Sequence, residues 1–197
     1  MDPKHLLRTA SRTFALGIER LPGILCDATT IAYLLLRVSD YLEDNEEMET
    51  DRKVALLNTW VNVLREEEKV EILTAQITQA DLTNPDAIVA QQAKEILQHL
   101  RSLPFDVQEI IVRHVINSTQ GMARWTQKGP NVADEKEMDD YMFEVAGRVG
   151  YLVTQLFAWY SITIRRKEEE IMPLAREFGL GLQTVNVIRG LREDFER

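Results

Sequence analysis

The sequence predicts an all-α protein. Apolar residues recur mainly at helical spacing, and few segments alternate with the period of two that a half-buried strand requires. The chain has 197 residues, 45% of them hydrophobic, which is enough for a sizeable core. No linker is long enough to separate two domains. We therefore expect a single helical domain over residues 1–197.

Proline and capping residues mark where the helices of the first half begin. Pro22 suits the first turn of a helix, and Thr50 is a suitable N-cap with Asp51 after it. Between them, residues 45–49 form an acidic loop. The predicted helices of this half cover residues 5–18, 22–44 and 50–67, with a weakly helical stretch at 74–79.

The second half begins with two prolines in helix-starting positions, Pro85 after Asn84 and then Pro104. The clearest turn is Lys128-Gly129-Pro130-Asn131, and Asp134 follows it as an N-cap. The predicted helices of this half cover residues 85–102, 104–127, 134–165, a short stretch at 168–176 interrupted by Pro173, and 179 to the C-terminus.

The charge balance narrows the class of partner. The net charge is −9, from 32 acidic and 23 basic residues, which argues against a general nucleic-acid surface and favours a protein that holds cations. The single cysteine, Cys26, excludes an internal disulfide. We find no apolar signal segment and no run of 18 apolar residues, so we expect a cytoplasmic protein, with peripheral membrane contact left open.

The most informative stretch is the predicted helix over residues 31–45. An α-helix turns by about 100° per residue, which places Tyr33, Arg37, Asp40 and Asp44 within an arc of roughly 60°. Two carboxylates one turn apart, with a cation a turn earlier, suit a hard divalent ion and an anion, since Mg²⁺ completes its shell with water and phosphate oxygens. The alternative is an Arg37–Asp40 or Arg37–Asp44 ion pair on an exposed helix face.

A second polar arc lies on the last predicted helix. Gln183, Asn186, Gly190 and Asp194 fall within roughly 80° of one another. Amide oxygens and a carboxylate are suitable ligands for a hard ion or for the water bound to it. The alternative interpretation is a buried pair of amides.

Two glycines interrupt the predicted helix over residues 134–165. Glycine inside a helix costs up to about 1 kcal/mol relative to alanine, so Gly147 and Gly150 indicate close helix packing or a bend beside a ligand. The hydroxyl of Tyr141 can bond a phosphate, or its ring can simply fill the core. Arg148 can reach a phosphate or pair with an acid.

Four separated motifs together resemble the squalene/phytoene synthase family of head-to-head prenyl synthases. They cover nearly the whole chain: Ser11-Arg12-Thr13-Phe14, the aromatic-Arg-acidic helix at 33–44, the stretch Tyr141-x-x-x-Val-Ala-Gly-x-Val-Gly, and the pattern Asn-x-x-Arg-Asp-x-x-x-Asp, to which the last helix is similar. The resemblance implies an isoprenoid-synthase-like bundle around a central cavity, with the two acidic helices facing each other.

The resemblance also implies roles for individual residues. It implies that Mg²⁺, with Mn²⁺ as an alternative, is bound together with a prenyl diphosphate, either farnesyl or geranylgeranyl diphosphate. The residues implied to be catalytic are Tyr33, Arg37 and Tyr141. Those implied to bind substrate are Ser11, Arg12, Phe14, Arg37, Gln183, Asn186 and Arg189. Those implied to hold the metal are Asp40, Asp44, Asn186 and Asp194.

Two departures from the family pattern keep other functions open. Gly190 stands where the family has the first aspartate of its second pair. Members of the family usually carry further helices after this motif, so we expect a bundle that is incomplete at its C-terminus. The alternatives are an enzyme that ionises a prenyl diphosphate and lets water trap the cation, as a phosphatase, and an inactive helical fragment that binds a partner or lipid.

Overall fold

A computed structural model gives the structure of the protein. It describes residues 2–77, 84–129 and 131–195, and the side chains of these residues except those of 12, 186, 187 and 189–195. Helices dominate, and no strand occurs in these ranges, which confirms the all-α prediction.

The helices follow one another with short connections. Those up to residue 129 are α1 Pro3–Ala10, α2 Arg12–Ile18, α3 Gly23–Asp44, α4 Thr50–Leu64, α5 Val70–Thr74, α6 Pro85–Gln91, α7 Ala93–Arg101 and α8 Phe105–Lys128. The later ones are α9 Glu135–Met142, a π-helical turn Phe143–Gly147, α10 Arg148–Tyr160, α11 Ile162–Arg165 and α12 Glu168–Phe195.

Three helices that the sequence predicts as continuous are broken, and the one predicted over 134–165 is interrupted at Ser161, which has an extended backbone (φ −122°, ψ 117°). The helix predicted over 5–18 is interrupted at Ser11, whose extended backbone (φ −157°, ψ 114°) lets its hydroxyl accept a hydrogen bond from the Phe14 amide at 3.2 Å. Ser11 therefore acts as an N-cap, which competes with its place inside a helix. The helix predicted over 85–102 is likewise broken at Gln92, which has φ −90° and ψ 13°.

Other predicted boundaries also need correction. The N-cap of α4 is Glu49, and Thr50 is already helical. A helix at Val70–Thr74 precedes the predicted weak helix at 74–79, whose residues 78 and 79 lie outside the described ranges. The helices predicted over 168–176 and from 179 onward are one helix, α12, which continues through Pro173. Tertiary packing there outweighs the backbone hydrogen bond that a proline removes.

The chain divides into two compact units, residues 1–129 and 130–197, and each is described by itself. The prediction of a single domain over 1–197 stays a prediction. In the first unit, α3 packs against α1, α4, α6, α7 and α8. Most of its 22 residues are buried, including Leu34, Leu35 and Leu42. Because α3 has neighbours on most sides, any charged residue it carries lies close to apolar packing.

In the second unit, α12 packs against α10 and the π-helical turn. A Cβ atom on Gly179 would lie 2.7 Å from the Gly147 Cα, and one on Gly150 would fall inside contact distance of the Ala175 carbonyl oxygen. The glycines of this segment therefore permit close helix packing, as predicted. A π-helical turn, Phe143–Gly147, lies in this segment, and the bend beside a ligand that the glycine pattern also indicated stays a prediction.

Candidate active site

Arg37 lies at the centre of a charged cluster on α3. Its Nη1 donates to Asp40 Oδ2 at 2.7 Å, and its Nε donates to Asp86 Oδ1 at 2.9 Å. Nη2 donates to the other carboxylate oxygen of Asp86. The predicted alternative of an Arg37–Asp40 pair thus exists, but it is partly buried and shared with an acid 49 residues further along the chain.

The carboxylates around Arg37 are held in an environment that disfavours their charge. Burial raises the pKa of Asp40 to about 7, against the opposing charge of Arg37, and Asp44 and Asp86 add to the rise. Burial, followed by the charges of Asp44 and Asp40, raises the pKa of Glu43 to about 8. Burial also raises the pKa of Asp44, with Arg37 acting against it. The positive charge near these acids is therefore too small to offset their burial and their mutual repulsion.

An aromatic pair borders this cluster. The rings of Phe14 and Tyr33 lie 5.8 Å apart between centroids, tilted by 41°. Burial raises the pKa of Tyr33 by more than its hydrogen bond with Ser11 lowers it. The Tyr33 hydroxyl consequently keeps its proton at neutral pH. The structure therefore places Ser11, Phe14 and Tyr33 beside the acidic cluster, and their predicted roles stay predictions.

The donor chemistry of the cluster fits a hard divalent cation. Asp40, Glu43 and Asp44 supply carboxylate oxygens, the ligands that Mg²⁺ prefers, and a bound cation would relieve their mutual repulsion. Among the described side chains, no three acidic, histidine or cysteine residues form a ready-made metal cage.

The predicted residues of the second unit are only partly described. Tyr141 and Gln183 are both half-buried. The side chains of Asn186, Arg189 and Asp194, with position 190 between them, lie outside the described residues, so their predicted roles stay predictions. The side chain of Arg12 also lies outside them.

Arg148 takes the second of its two predicted options. Its Nε and Nη2 donate to the two carboxylate oxygens of Glu144, at 2.5 and 2.9 Å. Glu144 is only 4% exposed, and the pair places its carboxylate against a guanidinium. The pair joins Glu144, inside the π-helical turn, to Arg148, the first residue of α10.

The sequence reasoning missed two acids of the first unit. Glu43 falls outside the 60° arc of the motif residues, but its pKa shows that it senses Asp44 and Asp40. Asp86 follows Asn84-Pro85, a pattern that indicates only the start of a helix. No local signal connects it to Arg37. Finding this contact requires the three-dimensional fold, which shows which acids from other helices lie next to the motif helix.

These features together define a helical protein with a half-buried site of acids and an arginine beside an aromatic pair. The family model for squalene/phytoene synthase matches residues 7–197, and the chain belongs to this family. The family generally depends on a divalent metal and uses prenyl diphosphate substrates.

Several curated proteins are similar to the chain. It is 33% identical over 191 residues to a squalene synthase of Bos taurus, covering 97% of the chain and 43% of that protein. It is 32% identical over 194 residues to "Squalene synthase BSS" of Botryococcus braunii, covering 96% of the chain and 39% of that protein. The chain thus spans about two fifths of the length of these relatives.

Solved structures support the fold. Two ligand complexes of TcSQS superpose with TM-scores of 0.81 and 0.83, at 24% and 23% identity. They match 98% and 99% of this chain and 53% and 54% of the solved chains. This similarity confirms the predicted fold family. None of the described helices combines the length and the apolar character needed to cross a bilayer.

Proposed function

We propose that the chain is a Mg²⁺-dependent prenyltransferase that condenses two prenyl diphosphates head to head. The observation that carries the proposal is the cluster on α3, in which Arg37 donates to Asp40 and Asp86 and the half-buried Asp40 and Glu43 have raised pKa values. Asp40 and Asp86 raise the pKa of the Arg37 guanidinium above its ordinary value, although burial alone lowers it. One site therefore offers a permanent cation and carboxylates that favour a bound cation.

The described residues have separate tasks in this proposal. Arg37 has five N–H donors, and three of them bind Asp40 and Asp86, which leaves two for a phosphate oxygen. The protonated Tyr33 hydroxyl is a hydrogen-bond donor. Asp40 and Asp44, with Glu43 beside them, would hold Mg²⁺, which when bound stabilises negative charge on the departing diphosphate.

The reaction begins when the allylic C–O bond breaks and its electron pair leaves with the diphosphate. The resulting carbocation survives only where water is excluded and aromatic faces are near. The half-buried ring of Tyr33 beside the cluster is suited to this role, and the ring of Phe14 packs against it at 5.8 Å between centroids. The double bond of the second prenyl diphosphate then supplies the electron pair that forms the new carbon–carbon bond, and the cation that this leaves on the second chain loses a proton to the released diphosphate. In this family that step passes through a cyclopropyl diphosphate.

The proposed roles of further residues come from their sequence pattern alone. Tyr141 is proposed as catalytic, Arg12, Gln183, Asn186 and Arg189 as substrate-binding, and Asn186 and Asp194 as metal ligands. We also propose peripheral membrane contact, because the prenyl chains of substrate and product partition into lipid. Sedimentation with phospholipid vesicles tests the membrane contact.

The decisive experiment is product analysis with farnesyl and geranylgeranyl diphosphate, each supplied with Mg²⁺ and, in parallel, with EDTA. The proposal predicts a metal-dependent C30 or C40 product or its cyclopropyl diphosphate. If the free alcohol is the sole product and its release depends on the metal, the reaction is hydrolysis and the proposal of condensation is wrong. No diphosphate release from either substrate in the presence of Mg²⁺ would refute an enzymatic role for this chain.

A further inference from the structure

We infer that Asp86 is a positioning residue, which holds Arg37 in the orientation that binds diphosphate while Asp40 is engaged with a cation. The inference rests on the proposed function and extends it to a residue outside the four motifs. Asp86 lies at the start of α6, a different helix from the one that carries Arg37 and Asp40.

The geometry of the contact is that of an arginine–carboxylate fork. Arg37 uses Nε and Nη2 on the two oxygens of Asp86, and only Nη1 on Asp40. Bidentate pairs of this kind fix the plane of the guanidinium as well as its place. The side chains of Arg37 and Asp86 are 25% and 18% exposed, so solvent weakens the pair less than it would a surface pair. The plane of Arg37 is therefore set mainly by Asp86.

Asp86 is itself held in place by local structure. Asn84 caps α6, and its side-chain oxygen accepts a hydrogen bond from the Asp86 backbone amide at 2.8 Å. Pro85 occupies the first helical turn, where its fixed φ suits the backbone. The carboxylate of Asp86 thus projects from a rigid helix start. An acid at this position also interacts favourably with the helix dipole, which is the purely structural explanation for its presence.

Asp86 has more than a structural role because Asp40 is shared between Arg37 and the proposed cation. A cation on Asp40 competes with the single Arg37 bond to that carboxylate, whereas the two bonds to Asp86 remain. Without Asp86, the described partner left to Arg37 in these bonds is Asp40. Arg37 would then neutralise a proposed metal ligand and lose the orientation toward phosphate. Removing Asp86 should therefore weaken the binding of diphosphate and Mg²⁺ together.

The test measures binding of inorganic pyrophosphate to the 197-residue chain by calorimetry, with and without Mg²⁺. We compare Asp86→Asn with Asp106→Asn, a matched control. Asp106 also lies in the first turn of a helix, after Pro104, and it is exposed. We expect Asp86→Asn to weaken Mg²⁺-pyrophosphate binding about tenfold, the scale of one charge-assisted hydrogen bond, and Asp106→Asn to leave it unchanged.

A double-mutant cycle separates positioning from general electrostatics. In an Arg37→Ala background, Asp86→Asn should cause no further loss of pyrophosphate affinity. An equal loss in both backgrounds, or wild-type affinity for Asp86→Asn, would overturn the inference while leaving the proposed function standing. If the wild-type chain shows no Mg²⁺-dependent pyrophosphate binding, the proposed function itself fails, and the inference fails with it.

Melting curves guard against a simple folding defect. If Asp86→Asn melts far below Asp106→Asn, Asp86→Glu replaces it, because Glu keeps the charge at the helix start and displaces the carboxylate by one methylene. We expect Asp86→Glu to melt like the wild type and to bind Mg²⁺-pyrophosphate several-fold more weakly, since the fork is misaligned. Wild-type affinity in Asp86→Glu would then overturn the inference.

Discussion

The helices α3 and α12 carry the two halves of the same family pattern in contrasting surroundings. Helix α3 buries most of its residues against several neighbours, and its acids are pressed against that packing. Helix α12 leaves a row of apolar side chains exposed, namely Leu174, Phe178, Leu182, Val185 and Ile188. One helix combines an intact motif with a crowded environment. The other combines a motif lacking one acid with an open apolar side.

The difference shows how packing determines what a motif does. A carboxylate on an exposed helix keeps its ordinary pKa and gains little from a cation. On α3, burial and neighbouring acids raise the pKa values of Asp40 and Glu43. A bound cation would therefore stabilise negative charges that their surroundings disfavour. The same residue spacing would be a weak site on a solvated helix. The surroundings of α3 therefore support it as the stronger half of the proposed site.

The largest expected effect comes from removing one charge on α3. Asp40→Asn and Asp44→Asn keep the side-chain shape nearly unchanged but remove a proposed metal contact. Each should lower turnover of a prenyl diphosphate by about 10²-fold or more, because one charge–metal contact in a partly dry site contributes a few kcal/mol to the transition state. Steady-state diphosphate release at saturating Mg²⁺ measures it. Asp27→Asn, an exposed acid on the same helix, should stay near the wild-type rate.

The metal role would be wrong if both single Asn variants kept full turnover at saturating Mg²⁺. A loss of equal size in Asp27→Asn would indicate a general effect of charge on α3. In either case, the contrast between α3 and α12 would no longer rest on metal binding.

The second prediction concerns stability in the second unit. Gly150→Ala places a Cβ against the carbonyl oxygen of Ala175, a backbone atom that cannot rotate away. We expect a loss of about 1–3 kcal/mol in the free energy of unfolding, the usual range for overpacking. Gly181→Ala is the matched control, since nothing lies within 4 Å of its added Cβ. It should gain up to about 1 kcal/mol from helix propensity.

Denaturant unfolding of the two variants provides the comparison. If Gly150→Ala were as stable as Gly181→Ala, the close approach of α10 and α12 would not constrain position 150. The packing explanation for this glycine would then have to be given up.

These two predictions draw on different amounts of sequence information. The helices, the α3 arc and the tight glycine packing follow from spacing and residue type, and the structure confirms the all-α class. The break at Ser11 was missed because a capping serine and an interior serine look alike in a chain with continuing helical spacing. The Asp86 contact was missed because helix periodicity describes neighbours along one helix. It contains no information on an acid 49 residues away.

The third prediction is a pH dependence that begins in the α3 cluster. The folded-state pKa of Asp40 is about 7, above the ordinary value of 3.8, so the folded state binds the extra proton between these values. Without Mg²⁺, stability should therefore fall as pH rises from about 4 through about 8, with Glu43 acting in the same direction. We expect a contribution from Asp40 on the order of 1–2 kcal/mol, reduced from the full linkage value by partial exposure.

Unfolding free energies across this pH range test the prediction, with Asp40→Asn as the comparison. The wild type minus variant difference should become less favourable to the wild type as pH rises, and Mg²⁺ should reduce that change. A parallel pH dependence in the two proteins would show that Asp40 does not carry the effect.

The smallest effect, and the most direct test of the comparison, is expected at position 190, which lies outside the residues whose side chains the structure describes. The family pattern has an aspartate there, one helical turn before Asp194. Gly190→Asp adds a carboxylate to the proposed second metal site and removes the helix cost of glycine, up to about 1 kcal/mol. It should lower the Mg²⁺ concentration at half-saturation a few-fold with pyrophosphate present, a change below about 1 kcal/mol. Gly181→Asp adds the same charge to an exposed position of α12 and should leave the midpoint unchanged. The gain is small because α3 already supplies most of the charge that binds the cation in the proposal. A rise in condensation turnover would accompany the gain if the acid at 190 is what the second site lacks.

Indistinguishable midpoints for Gly190→Asp and the wild type would mean that position 190 does not contribute to the metal site. The assignment of the last helix to the second family motif would then be abandoned, and α3 would be left as the sole source of metal ligands in the proposal.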